Sequence, residues 1–277
     1  MPEHVYARQG NTVVFNQLAL KIEMDSVSNQ AFYAWLDRRK ADIAQHVAGA
    51  EIAEKENARE SPPLNTAVYY DTSDYRILPT GALLRTSCRI DTHAFCAFKH
   101  AQDENSVRKD YRHVFEGDEK RTIQRAPASP EAIAIVQRLL ARTDIRHPGS
   151  YLEEYYGIGA STLSPSVYLD DYRYKFFVWL DKKDALRCSI DRAWVKDLRL
   201  PEKDQKQVPV SEVELAIYPR LDPEVARDPR VVRLIEFLAD SLCREFGVRI
   251  TTDIKYQRAA RVLGIYGAVL STTSLEA

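Results

Sequence analysis

Apolar and charged residues alternate along much of the chain. Residues 20–25 alternate Leu, Ile and Met with Lys, Glu and Asp, and this period of two places the two sets on opposite faces of a β-strand. Similar strand-like segments recur, and residues typical of turns separate them. They predict an antiparallel meander followed by a second group of strands: residues 65–71, 81–90, 95–100, 107–115, 166–179, 186–191 and 208–217.

Three segments have helical spacing instead. The first follows Ser28 and carries Phe32, Trp35 and Leu36 on one side, before a charged tail at residues 54–60. The others begin at Ser129-Pro130 and at Asp228-Pro229, where Pro occupies the first helical position. Strands and helices together predict one α+β domain over residues 1–277, with residues 1–11 as a loose N-terminal segment.

The strands carry an unusual number of charges at mid-strand positions. Either these faces are solvated, or the strands close into a barrel whose polar interior holds a ligand. An interior with several arginines requires a polyanion, and guanidinium groups match phosphate oxygens in a bidentate manner. The cations are Lys21, Arg85, Arg89, Lys99, Arg108, Arg112, Arg173 and Arg187, and the acids on these faces are Glu23, Asp25, Asp110, Asp191, Glu212 and Glu214.

Two pairs of acids are spaced for one strand face. Glu212 and Glu214 are separated by one residue, as are Glu23 and Asp25, so each pair spans roughly 6.6–6.8 Å along a strand. Such pairs among phosphate-binding cations suit Mg²⁺ or Mn²⁺, which take oxygen ligands and bridge phosphate oxygens. Ordinary exposed glutamates on a surface strand are the alternative.

Composition narrows the expected partners. The formal net charge is −1, so any basic site must be local, and we expect neither a nucleic acid nor a membrane as partner. The four cysteines form no C-x-x-C pair, and the chain shows no apolar leader segment. These features predict a cytoplasmic protein that acts on a small molecule, and a homodimer is compatible with them.

Several motifs resemble those of the CYTH and VTC group of triphosphate tunnel metalloenzymes. They occur in the order that this superfamily shows and span roughly residues 20–260. The matching segments are Tyr69-Tyr70-Asp71-Thr72, Leu83-Leu84-Arg85 with Arg89, Phe98-Lys99, Arg108-x-Asp110, Arg173, Leu186–Asp191, Glu212-Val213-Glu214 and Ile254–Arg258.

The resemblance implies an antiparallel, eight-stranded β tunnel, closed as a barrel, with helices packed outside. It implies that a triphosphate would be bound by Arg85, Arg89, Lys99, Arg108, Arg173, Arg187, Lys255 and Arg258. It also implies that Glu23, Asp25, Glu212 and Glu214 would hold Mg²⁺ or Mn²⁺.

The opening motif departs from the superfamily pattern. That pattern is ExExK, whereas the register Glu23-x-Asp25-x-Val27 lacks the lysine. Lys21 lies on the same strand face and could substitute, so Lys21, Glu23 and Asp25 are the predicted catalytic residues.

The resemblance implies metal-dependent hydrolysis of inorganic triphosphate or of a nucleoside triphosphate. The alternatives are a nucleotide cyclase, a polyphosphate polymerase and a non-catalytic sensor of polyphosphate or nucleotide. The missing lysine at Val27 favours the sensor.

Overall fold

The computed structural model describes residues 7–9, 12–16, 19–101, 109–218 and 221–266. Strands β1 to β12 are Ala7–Gln9, Thr12–Asn16, Ala19–Glu23, Ala50–Glu54, Leu64–Asp71, Leu83–Arg89, His93–Lys99, Lys109–Val114, Ser164–Leu180, Lys183–Asp197, Val208–Ile217 and Ile250–Thr251. Helices α1 to α7 are Asn29–His46, Gly117–Arg125, Pro130–Leu140, Pro148–Tyr156, Pro223–Ala226, Pro229–Phe246 and Lys255–Val262.

All the strands belong to one antiparallel sheet. Its order is β1-β2-β8-β7-β6-β5-β9-β10-β11-β3-β12, and β4 pairs with β9 beside this path. The helices and the large antiparallel sheet agree with the α+β prediction. The prediction of eight strands in a closed barrel is wrong, because the sheet formed by the described residues has twelve strands and is not closed. Closure would require β3 to pair with β8, but β12 pairs with the free edge of β3 and β2 with that of β8.

Eight strands of this sheet nevertheless surround one cavity. They are the consecutive run from β8 to β3 in the sheet order, and each contributes a side chain to the cavity lining. In β9, Asp171, Arg173 and Lys175 line the cavity, whereas Tyr174 and Phe176 are buried on the opposite face. The period of two along the sequence therefore separates a charged inner face from an apolar outer face.

Helices cover the outer face in two apolar clusters. One contains side chains of α1 and α6, such as Trp35 and Leu238, packed with Phe176 and Leu215 of the sheet. The other contains side chains of α3 and α4 packed with strands β5 to β7. The helix starts predicted at Ser28, Ser129-Pro130 and Asp228-Pro229 correspond to α1, α3 and α6. The Ser28 and Ser129 side chains accept the capping hydrogen bonds of α1 and α3. The sequence analysis assigned no element to the segments that form β4, α2 and α4.

Helix α7 packs at one end of the cavity. Its Tyr256 stacks on Tyr69 of β5 with ring centroids 4.7 Å apart, and its hydroxyl donates to the Asp71 carboxylate at 2.9 Å. The same carboxylate accepts backbone N–H groups of Ile77 and Leu78 at 2.8 and 3.0 Å. Asp71 thus ties the end of β5 to the following turn and to α7.

The segment predicted to be loose, residues 1–11, contains β1, and its other residues lie outside the described part of the chain. Among the helices that the structure describes, none combines the length and the apolarity required to cross a bilayer.

Candidate functional site

The cavity inside the curved sheet has a volume of about 230 Å³ and a strongly cationic lining. Basic side chains come from six strands and from α7, against three acidic side chains among the described lining residues. The basic residues are Lys21, Arg85, Lys99, Arg112, Arg173, Lys175, Arg187 and Lys255, and the acidic residues are Asp171, Glu212 and Glu214. The chain has almost no net charge, so the basic character of this cavity is local, as the sequence analysis expected of any basic site.

At the α7 end, cations and acids are paired in a buried network. Lys255 Nζ lies 2.5 Å from Asp191 and 3.0 Å from Asp171, and Arg173 lies 2.5 Å from Asp191 and 3.3 Å from Asp171. Burial lowers the pKa of Lys255, but the nearby Asp171 and Asp191 more than offset it and the pKa is raised overall. Burial likewise raises the pKa of Asp191, and Arg173 and Lys255 bring it below the usual range. Lys255 and Asp191 are therefore charged at neutral pH, whereas burial and the neighbouring Asp191 raise the pKa of Asp171.

Away from α7, three half-buried cations make no ion pair with any described residue. They are Arg85 on β6, Lys175 on β9 and Arg187 on β10, and the Arg85 Nε is buried without a hydrogen-bond partner in the described structure. Burial, together with the charges of Arg173, Arg187 and Arg89, lowers the pKa of Lys175 to about 8. Burial is also the main cause that lowers the pKa of Arg187, although Glu214 opposes it. These three groups would gain most from an anion.

A further basic group lies on β7 and β8. Asp110 receives Arg112 Nη2 at 2.6 Å and Lys99 Nζ at 3.2 Å, and the Arg112 guanidinium lies over the Phe95 ring at 4.5 Å from its centroid. Burial lowers the pKa of the neighbouring His93 to about 4, helped by Arg112 and Arg89. His93 is therefore neutral at physiological pH, and it adds no charge to the cavity.

The structure brings together many of the residues that the sequence singled out. Of the predicted phosphate ligands, Arg85, Lys99, Arg173, Arg187 and Lys255 line the cavity, as do Lys21, Glu212 and Glu214. Arg89 and Arg258 do not belong to the lining, although Arg89 is near enough to lower the pKa of Lys175. Arg108 lies outside the described residues. The binding and catalytic roles of these residues remain predictions.

Glu23 and Asp25 lie beside the cavity rather than in its lining. Strand β3 ends at Glu23, so the alternation does not carry Asp25 onto the same face. Asp25 is half exposed and accepts from Arg258 at 2.8 Å. Val27, at the position of the missing lysine, is buried in the apolar cluster under α1. Lys21 does line the cavity, and it lies opposite Glu214 in the register of β3 with β11.

The carboxylates do not fit a resident divalent metal. Among the described residues, no three acidic, histidine or cysteine side chains converge in a metal-binding arrangement. Glu212 and Glu23 oppose each other in register, but Arg258 approaches both, at 3.3 and 3.8 Å. Lys255 approaches the other Glu212 oxygen at 3.5 Å. Mg²⁺ is commonly held by one or two carboxylates together with waters and phosphate oxygens, but basic side chains already contact the two carboxylates that oppose each other here.

The predicted ligands did not include three charged residues of the cavity, although Arg112 was among the mid-strand cations that the sequence analysis named. Asp171 lies on β9 two positions before Arg173, and Lys175 lies two positions after it. Arg112 occupies the inner face of β8. The signal was present, because residues at i−2 and i+2 of a strand share a face with residue i. Extending the alternation from Arg173 in both directions would have identified Asp171 and Lys175.

Solved structures align with this chain over most of its length. A Bacillus halodurans protein, described as a "putative adenylate cyclase", aligns with a TM-score of 0.50 and 12% identity, over 87% of this chain and 96% of its own. A Hippeastrum protein, described as an adenylyl cyclase with a dominant triphosphatase activity, aligns with a TM-score of 0.46 and 11% identity, over 90% and 95% of the two chains. The Pyrococcus horikoshii protein PH1819 gives 0.42 and 14%, over 87% and 96%. No family model and no curated protein match the sequence.

The first of these alignments defines the class of fold. The chain has a CYTH-like triphosphate tunnel fold, and the resemblance predicted from its motifs is confirmed at the level of the fold.

Proposed function

We propose that the chain binds a triphosphate-containing molecule in the cationic cavity and catalyses transfer of one of its phosphoryl or nucleotidyl groups. One observation carries the proposal: Arg85, Lys175 and Arg187 converge from three strands on one cavity without an acidic partner among the described residues. Half-buried cations that repel one another are costly, and a polyanion bound among them removes that cost.

The distribution of the cations favours a chain of phosphates over a single phosphate. Basic side chains come from six strands around the cavity and from α7, so groups on opposite walls can contact successive phosphates. Two of the three unpaired cations are arginines, whose planar forks bind phosphate oxygens in pairs. The description of the Bacillus halodurans protein as a "putative adenylate cyclase" points to nucleotide chemistry on this fold.

The reaction that we favour is hydrolysis of tripolyphosphate or of a nucleoside triphosphate. Water would attack the terminal phosphorus as the bond to the bridging oxygen breaks, so that phosphate is released and pyrophosphate or a nucleoside diphosphate is the leaving group. Arg85, Arg187 and Lys175 would stabilise the charge that develops on the phosphate oxygens. Cyclisation of a nucleotide and extension of a polyphosphate would use the same binding groups with a different nucleophile. Because the acids do not fit a metal site, no step of this proposal passes through Mg²⁺ or Mn²⁺.

A non-catalytic sensor is the second candidate. Two observations favour it: Val27 is buried away from the cavity, and Glu212 is paired with Lys255 and Arg258. Because each oxygen of this carboxylate contacts a cation, Glu212 is poorly placed to accept a proton from an attacking water.

The experiment combines a binding assay with product analysis. Tripolyphosphate and ATP are titrated into the protein by calorimetry, and phosphate, pyrophosphate and cyclic nucleotide are then measured after incubation with and without Mg²⁺ or Mn²⁺. We expect Arg85→Ala to weaken binding by about tenfold or more, because a charge-assisted hydrogen bond contributes about 1.5–3 kcal/mol. Arg121→Ala is the matched control, since Arg121 lies on α2 and is mostly exposed.

Product formation that depends on Arg85 would support the enzyme, and binding with no product under any condition would support the sensor. If neither ligand binds, or if Arg85→Ala and Arg121→Ala bind equally well, the proposal fails.

A further inference from the structure

The acids of the cavity are already neutralised by side chains of the same chain. At the α7 end, three acids meet three bases: Asp171, Asp191 and Glu212 with Arg173, Lys255 and Arg258. Each of these acids contacts two of the bases within 3.5 Å. Five of the six side chains are buried, and Arg173 is partly buried. The acids are therefore neutralised by these basic side chains and not by ions from the solvent.

Lys21 supplies a further cation next to the remaining acid. It lies directly opposite Glu214 in the pairing of β3 with β11, and both side chains line the cavity. Burial raises the pKa of Glu214, but the charges of Arg173 and Lys21 bring it below the ordinary value. A lysine therefore stands beside Glu214, where a divalent cation would otherwise have to supply the positive charge.

Few acidic oxygens remain for a metal ion. One oxygen of Asp171 and one of Asp191 are buried without a hydrogen bond in the described structure. Mg²⁺ is commonly held by one or two carboxylates together with waters and phosphate oxygens, but Lys255 and Arg173 already contact both of these carboxylates. A dication placed there would be repelled by two fixed cations.

Three other cations of the cavity have no acidic partner among the described residues. Arg85, Lys175 and Arg187 carry positive charge that no described acid neutralises within ion-pair distance. We infer that the cavity binds its phosphate anion directly on side-chain cations, with no resident divalent metal ion between protein and phosphate. This inference rests on the proposed function and concerns how that same site neutralises its ligand.

Two titrations test the inference. Tripolyphosphate is titrated into the protein by calorimetry in excess EDTA, and Mn²⁺ alone is titrated with the free Mn²⁺ followed by electron paramagnetic resonance. We expect tripolyphosphate to bind in EDTA with a dissociation constant within about threefold of that in Mg²⁺, and Mn²⁺ to bind no more tightly than about 1 mM.

A charge-reversal variant gives the opposite expectation. Lys21→Glu places a second carboxylate opposite Glu214, so the affinity for tripolyphosphate in EDTA should fall about tenfold or more and Mn²⁺ should restore part of it. Lys203→Glu makes the same charge change at an exposed position and should leave both titrations unchanged.

The possible outcomes distinguish the proposed function from the inference that no resident metal ion takes part in binding. Binding of tripolyphosphate that requires Mg²⁺ or Mn²⁺ in the wild type would leave the proposed function standing and overturn this inference. Failure to bind under either condition would overturn the proposed function, and with it this inference.

Discussion

Lys175 shows how the cavity changes the chemistry of a single side chain. It lies on the inner face of β9, two positions beyond Arg173, and it makes no ion pair with a described residue. Burial and the charges of Arg173, Arg187 and Arg89 lower its pKa to about 8. Below pH 8 the amine is charged and can bind phosphate, and above pH 8 it is increasingly neutral.

We expect the affinity for tripolyphosphate to depend on whether the Lys175 amine is protonated. Between pH 7 and pH 9, the contribution of Lys175 should be lost and the affinity should fall by about threefold or more. Calorimetric titrations at several pH values measure the effect. Lys175→Arg is the control, because the guanidinium remains charged throughout, and its affinity should fall less over this range. Parallel pH profiles for the two proteins would show that Lys175 does not contact the phosphate.

At the scale of elements, α7 closes one end of the cavity through buried charges. Lys255 is 6% exposed, and the two acids that it contacts, Asp171 and Asp191, are 3% and 0% exposed. The resemblance implied a phosphate-binding role for Lys255, and the structure adds that this lysine holds α7 against β9 and β10. Its removal would leave two carboxylates buried with only Arg173 to neutralise them.

We therefore expect Lys255→Ala to destabilise the protein strongly. Breaking a buried ion pair by removing one partner costs about 3–5 kcal/mol of unfolding free energy. Urea denaturation measures the change. In the same helix, Arg261 is about half exposed, so Arg261→Ala should cost only about 0–1 kcal/mol. Equal losses for the two variants would contradict the account of α7.

At the scale of the whole molecule, the sequence predicted which residues lie on the inner face of the sheet better than it predicted which strands pair at the edges of the sheet. Alternation placed Arg85, Arg173, Arg187 and Glu214 on inner faces, and the structure finds them around one cavity. A period of two specifies which side of a strand a residue occupies, and this holds however the strands are ordered.

The edges and the α7 contacts required information that the local pattern does not carry. Whether the sheet closes depends on which strands pair at β3 and β8, and short strands such as β12 have almost no sequence signal. Lys255 meets Asp171 and Asp191 across 84 and 64 residues of sequence. Such pairs follow from the tertiary arrangement, and periodicity within a segment does not specify them.

A crystal structure determined with tripolyphosphate tests the central claim most directly. The claim is that one cavity within the curved sheet holds a chain of phosphates on Arg85, Lys175 and Arg187. We predict electron density for the anion inside the cavity, with phosphate oxygens within about 3 Å of these three side chains. Density for the anion only at the outer surface, with these side chains unchanged in an anion-free cavity, would contradict the account.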